Sequence, residues 1–223
     1  MTDRSVSASP RRSFLERLAV GALALAAVPS TVRASGAPDS SAAGEPWLSG
    51  LATTKHKQVF DATSHNSGFP MIFAGNYVNT MMQAYALKPK DVRALIVLRH
   101  FAAPLAVSDA IWAKFQLGAM IGVNDPATKA PATRNIFVNS RAGDMMNPAQ
   151  SLDKVIAAGA TVVVCNMALT VLSQMASQAA GMKPDEALAE WKAALVAGVA
   201  VVPSGVLAVG RAQEAGCGYC FAG

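Results

Sequence analysis

The sequence predicts a three-layer α/β domain built on a mostly parallel sheet of four or five strands. Two observations carry this. Short apolar runs rich in β-branched residues recur along the chain, of the kind buried on both faces. Segments with helical spacing separate them, too long for hairpins, so the connections are crossovers. Composition agrees. Of 223 residues, 52% are hydrophobic and 15% charged, against about 25% charged in an average soluble domain. That excludes intrinsic disorder as the general state and supplies a large core.

Val59-Phe60-Asp61-Ala62-Thr63 reads as a short strand running into a polar loop, Ser64 to Gly68. Met71, Ala74, Val78, Met81, Met82 and Tyr85 then recur at three- and four-residue spacing, which predicts a helix between Pro70 and Leu87. Asp91 to Leu98 is nearly continuous apolar chain and reads as a strand covered on both faces. A helix is expected after Ser108, carrying Ile111, Trp112, Phe115 and Leu117. Residues 122–150 are rich in Asn, Pro, Gly, Thr and Arg, and predict an irregular segment with one short strand around Ile136-Phe137-Val138. Ser151 caps a short helix that Gly159 ends. Thr161-Val162-Val163-Val164-Cys165 is a buried strand, followed by a helix from about Ala168 to Ala180. Pro184-Asp185-Glu186 opens another helix, with proline and acids in the first turn where they are favourable. Gly198 to Val202 is the last clear core strand, and a helix opens at Pro203-Ser204 and ends at Gly216.

The formal net charge of +5 raises the question of a nucleic-acid partner. Residues 1–34 hold Arg4, Arg11, Arg12, Arg17 and Arg33 against Asp3 and Glu16, a surplus of 3 that leaves 2 to the remaining chain. No basic stripe with interleaved aromatics follows, so nucleic-acid binding is excluded as a function class. Pro10-Arg11-Arg12-Ser13-Phe14-Leu15 resembles a twin-arginine export signal. The apolar run Leu18 to Val28 is too short for the ~20 residues of a membrane-spanning helix and suits a signal-peptide core. Pro29 breaks it, and Val32-Arg33-Ala34 offers small residues for cleavage after Ala34. The expected organisation is a signal peptide over 1–34, a flexible linker over 35–55 and one α/β domain over 56–223. The signal resemblance implies export by the twin-arginine translocase, a periplasmic location and no stable membrane span after cleavage.

Cys165 sits where a buried strand gives way to a helix, and sites in open α/β sheets form at the carboxyl ends of strands. A thiolate there is stabilised by the positive end of the helix dipole. A buried, inert cysteine is the alternative, since Cys is among the most buried residues. His65 and His100 follow predicted strands, so both are candidates for the same sheet edge as Cys165; there His100 would stabilise a thiolate or act as acid or base, and a hydrogen-bonded loop histidine is the alternative. Asn166 is a candidate anion donor or helix cap. Cys217-Gly218-Tyr219-Cys220 is a single C-x-x-C near the chain end. It reads as a disulfide, a dithiol redox pair or half a metal site, with metal disfavoured because four ligands are not evident. No dinucleotide fingerprint, phosphate loop, nucleophile elbow or zinc-protease motif occurs, and no cofactor is expected.

Gly159-Ala160-Thr161-Val162-Val163-Val164-Cys165-Asn166, Gly198-Val199-Ala200-Val201-Val202-Pro203-Ser204-Gly205-Val206 and Arg211 to Tyr219 together resemble the C-terminal half of DsrE-like proteins. The resemblance spans roughly residues 56–221 and is specific after Gly159; the segment 122–150 departs from it. It implies a flavodoxin-like fold and assembly into homo-oligomers, trimers or hexamers. It also implies a sulfur-carrying cysteine at the position of Cys165, exchanging sulfane sulfur with donor and acceptor proteins or small sulfur species. The family's relays are cytoplasmic, whereas this chain resembles an exported one, which changes the partners and removes a transfer-RNA role. Two other readings stand beside it: a non-catalytic binding or assembly module, and a thiol-redox or metal-binding protein using Cys217 and Cys220.

Overall fold

The computed structural model describes residues 45–223. The expected signal peptide, and residues 35–44 of the expected linker, lie outside them. Five strands form one sheet: β1 (His56–Ala62), β2 (Val92–Leu98), β3 (Thr161–Cys165), β4 (Val199–Val202) and β5 (Gly218–Phe221). Their order across the sheet is β4-β3-β2-β1-β5, and every pairing is parallel. Helices cover both faces, so the expected three-layer, flavodoxin-like α/β architecture is present, with its own strand order.

Side-chain alternation along the strands builds two cores, since successive residues point to opposite faces. Phe60, Ile96, Leu98, Val162 and Val164 face one layer, which holds α2 (Phe69–Tyr85), α3 (Asp109–Lys114), α5 (Leu152–Ala157), α6 (Asn166–Ser177) and α7 (Pro184–Ala193) and buries Trp112 and Trp191. Val59, Leu95, Val97, Val163 and Val202 face the other, where α1 (Pro46–Ala52) and α8 (Gly205–Glu214) contribute Leu48, Leu51, Ala208 and Ala212. The short α4 (Leu117–Ile121) completes the helix set. Among the described residues no helix is long and apolar enough to cross a membrane.

This winding places the site. The chain leaves β3 into α6 on the first face and leaves β4 into α8 on the second. Where neighbouring strands send their connections to opposite faces, a crevice opens at their carboxyl ends. Here that crevice lies beside the end of β3, at Cys165.

Four expectations are corrected. The linker expected over 35–55 does not persist through its described part: Pro46 starts α1, and Leu48 and Leu51 are buried against the sheet. Apolar residues three apart in a proline-started turn carried that signal. The helix after Ser108 is two helices, broken where Gln116 adopts φ 52°. Ile136-Phe137-Val138 is not a strand, although Ile136 and Phe137 are fully buried. Asn135 Nδ2 donates to the carbonyls of Leu105 and Val107 at 2.9 and 2.8 Å, so a side chain rather than a ladder anchors the segment. Arg134, bonded to Asp125 and Asp144, ties the irregular segment to itself. Finally, the C-x-x-C segment, expected after the last helix with no strand assigned, forms edge strand β5 beside β1. Ser151 does occupy the N-cap of α5, but its hydroxyl bonds Pro148 O and Asp153 rather than the helix backbone.

Candidate functional site

Strand ends β1, β2 and β3 bring an acid, a guanidinium and a thiol into one neighbourhood. Asp61 lies near the end of β1, with its side chain 3% exposed. Such a carboxylate persists only when paired. Arg99, the residue after β2, supplies a bidentate partner: Nε to Oδ1 at 2.6 Å and Nη2 to Oδ2 at 2.8 Å. Tyr219 from β5 donates its hydroxyl to Asp61 Oδ2 at 2.9 Å. Burial raises the Asp61 pKa, but the bonds and charge of Arg99 and the Tyr219 bond outweigh it and hold the carboxyl below its usual range. The Asp61 bonds push Arg99 above its ordinary value against the cost of burial, with the Asp61 charge adding to the shift and Cys165 contributing within electrostatic reach.

His100 adopts φ 47°, a left-handed conformation uncommon for a residue with a Cβ. Its Nδ1 lies 3.0 Å from Arg99 Nη1. Arginine only donates, so Nδ1 accepts and the neutral ring carries its proton on Nε2.

Cys165 ends β3 and is the N-cap of α6, where its Sγ accepts from the Ala168 N–H at 3.4 Å. It is 6% exposed, on the wall of a cavity of about 270 Å³ that Arg99, His100, Phe101, Met167, Val171 and Val206 also line. Gly205, the first residue of α8, passes against both Arg99 and Cys165. A Cβ there would lie 2.7 Å from Arg99 Cβ and 3.2 Å from Cys165 Cβ. Gly205→Ala is therefore expected to cost about 1–3 kcal/mol by overpacking and to disturb the thiol's surroundings. Urea unfolding checks it, and unchanged stability would refute the close approach.

The structure brings Cys165 and His100 together as expected and separates the other candidates. His65 caps the turn after β1, where its Nδ1 accepts from Ser67 N–H at 3.1 Å and its ring packs 5.8 Å from Phe137. Burial lowers its pKa, against a hydrogen bond to the Ile121 backbone that raises it. It does not line the cavity; its hydrogen bonds go to the loop at Ser67 and to the Ile121 backbone at the end of α4. Asn166 begins α6 but is not in the cavity wall; its buried Oδ1 has no hydrogen-bond partner among the described residues.

The expectation of a disulfide or neighbouring thiols at Cys217 and Cys220 is not met. All three cysteines are free. Cys217 packs into the core under α8, whereas Cys220 packs toward the opposite core. A three-residue separation is odd, so extended chain turns the two thiols to opposite faces of the sheet. Burial raises the Cys217 pKa, only partly offset by Lys57. Cys217 is thus expected to resist alkylation in the native protein and to react fully in denaturant; equal labelling in both states would contradict its burial. Among the described residues no cluster of three or more His, Cys, Asp or Glu is placed to hold a metal.

Sequence reasoning missed Asp61, Arg99 and Tyr219. Asp61 did leave a signal, a lone acid inside an apolar strand. Tyr219 left none, because its strand was not assigned.

No family model matches this chain, and no curated protein matches it. One similar solved structure is that of the protein of unknown function MTH1491 from Methanobacterium thermoautotrophicum. It is 17% identical, with 74% of this chain and 98% of that one covered, at a TM-score of 0.37. A likeness at that score carries no argument about fold or function.

Proposed function

We propose that the protein carries sulfane sulfur on Cys165, as an exported, periplasmic relative of DsrE-like proteins that exchanges sulfur with small sulfur species or partner proteins. The observation that supports this best is the thiol on a cavity wall at the sheet's switch point, at the start of a helix and beside a fixed guanidinium. A thiolate formed there attacks a sulfane sulfur and holds it as a persulfide. The backbone N–H of Ala168 and the positive end of α6 favour the anionic sulfur in both forms. His100, held to Arg99 through Nδ1, offers Nε2–H as a hydrogen-bond donor to a leaving thiolate, whose proton comes from solvent. Asp61 and Tyr219 keep the guanidinium in place and do not themselves line the cavity. Assembly into a homo-oligomer belongs to the same proposal, with exposed apolar side chains outside the cavity lining, such as Phe69 and Tyr85, available for burial.

Treatment with inorganic polysulfide tests the function. The intact protein is expected to gain the mass of one sulfur atom per chain, and cyanide is expected to remove it as thiocyanate. A protein that gains no cyanide-labile sulfur under these conditions is not a sulfur carrier.

A further inference from the structure

The cavity that holds Cys165 is walled mainly by carbon and thioether surface, with Arg99, His100 and Ser204 as its polar lining. Phe101 closes one side and Val206 another, while Met167, Val171 and Met175 run along α6 at four-residue intervals. That spacing puts the three on one stripe of the helix. They are 59%, 51% and 59% exposed, so the apolar wall continues outward from the thiol. Arg99, the charged residue among the lining groups, is already engaged. Its Nε and Nη2 bond Asp61 and its Nη1 bonds His100. The guanidinium charge is therefore matched by an internal carboxylate and is not presented as a cradle for a ligand carboxylate or sulfonate.

This donor set selects by polarity. A hydrophilic sulfur donor bearing carboxylates would give up most of its hydration here for few polar partners, His100 and Ser204, which is costly. An apolar substituent gains from leaving water in proportion to the area it buries. Size agrees: an apolar cavity of ~150 Å³ already takes up benzene, and about 270 Å³ accommodates a ring and two sulfur atoms. Methionine thioethers adapt their shape to differing substituents.

Resting on the sulfur-carrier reading, we infer that the donor this cavity selects is an organic persulfide, R–S–SH, in which R is an uncharged alkyl or aryl group. The Cys165 thiolate attacks the outer sulfur. The Sγ–S bond forms as the donor's S–S bond breaks, and R–S⁻ leaves with the electron pair and takes up a proton from solvent. The outer sulfur keeps its own proton, and there is no net oxidation.

The test compares loading of Cys165 by benzyl persulfide, glutathione persulfide and inorganic polysulfide at equal concentration, with the full chain and time-resolved intact mass. Benzyl persulfide is expected to load on the order of tenfold faster than glutathione persulfide, about 1.4 kcal/mol of net preference for the apolar substituent. Val171→Asp places a charge on a half-exposed position of the wall. It is expected to erase that preference, so that the benzyl and glutathione donors load at equal rates. Equal rates for the benzyl and glutathione donors would overturn the inference and leave the carrier function standing. A preference that survives in Val171→Asp would also overturn it, by removing the wall from the selection. Sedimentation at the assay concentration supplies the third arm. If a second copy covers the stripe and the benzyl donor has no advantage, the apolar surface is an assembly interface and the inference fails. Loading by none of the three donors would defeat the carrier function and this inference together.

Discussion

Cys165→Ser is expected to abolish sulfur loading completely while leaving the fold as stable as the parent, or slightly more so. The two effects separate because the side chain does two jobs. Chemically, Sγ is the proposed acceptor of sulfane sulfur, and a serine hydroxyl is not ionised near neutral pH. Structurally, the side chain is the N-cap of α6 and accepts the Ala168 N–H. Serine is among the preferred N-cap residues, and its oxygen makes that bond at least as well, so the stability change stays within about 1 kcal/mol. Thermal unfolding and intact mass after polysulfide treatment read the two quantities on the same samples. A variant that still gains cyanide-labile sulfur would move the chemistry to another thiol. A variant that loses several degrees of melting temperature would show that the thiol's packing, not its cap bond, matters.

Asp61→Ala is the substitution expected to cost most stability, about 3–5 kcal/mol. Removing the carboxylate leaves Arg99, 18% exposed at the side chain, without its charge partner, and deprives the Tyr219 hydroxyl of its acceptor. Asp61→Asn retains the volume and separates charge from packing. Its pH dependence follows from the sign of the shift. The folded-state pKa of Asp61 is depressed, so the pair's contribution is fully present above the unfolded value of ~3.9 and is lost as pH falls through the lower folded value. The stability gap between parent and Asp61→Asn is therefore expected to be constant from neutral pH to about pH 5 and to close below about pH 4. His65 acts in a higher window. Its folded pKa is also lowered, so the parent loses stability as pH drops below ~6.5. Urea unfolding of His65→Gln against the parent, followed from pH 8 to 5, is expected to remove that slope; an unchanged slope would assign it to another group.

The sheet was legible because burial on both faces leaves an unmistakable record: Leu95 to Leu98 and Val162 to Val164 have no polar residue among them. The strand Thr161–Cys165 was expected with the bounds it has. Local signals failed where tertiary context decides. The segment around Ile136 is apolar yet unpaired, because Asn135 satisfies the backbone it crosses. Strand β5 carries Gly and Cys rather than β-branched residues, and pairing with β1 makes it a strand. Of the site, Cys165 and His100 were legible because one ends a strand and the other lies in the turn directly after one. The ion pair that fixes the guanidinium beside them was not, since residues 38 apart in sequence meet only when β1 and β2 pair. Odd spacing in the C-x-x-C did record that its thiols would diverge on extended chain. That record became readable once the segment was known to be a strand.

Sulfur carriage rests on one atom, Cys165 Sγ, and site-resolved mass spectrometry reads it most directly. The native protein is treated with polysulfide, alkylated without reduction, digested and mapped. The predicted result is an alkylated persulfide on the Cys165 peptide, with Cys217 and Cys220 carrying no added sulfur. Added sulfur on Cys220 or Cys217 with an unmodified Cys165, or no added sulfur on any of the three, would contradict it.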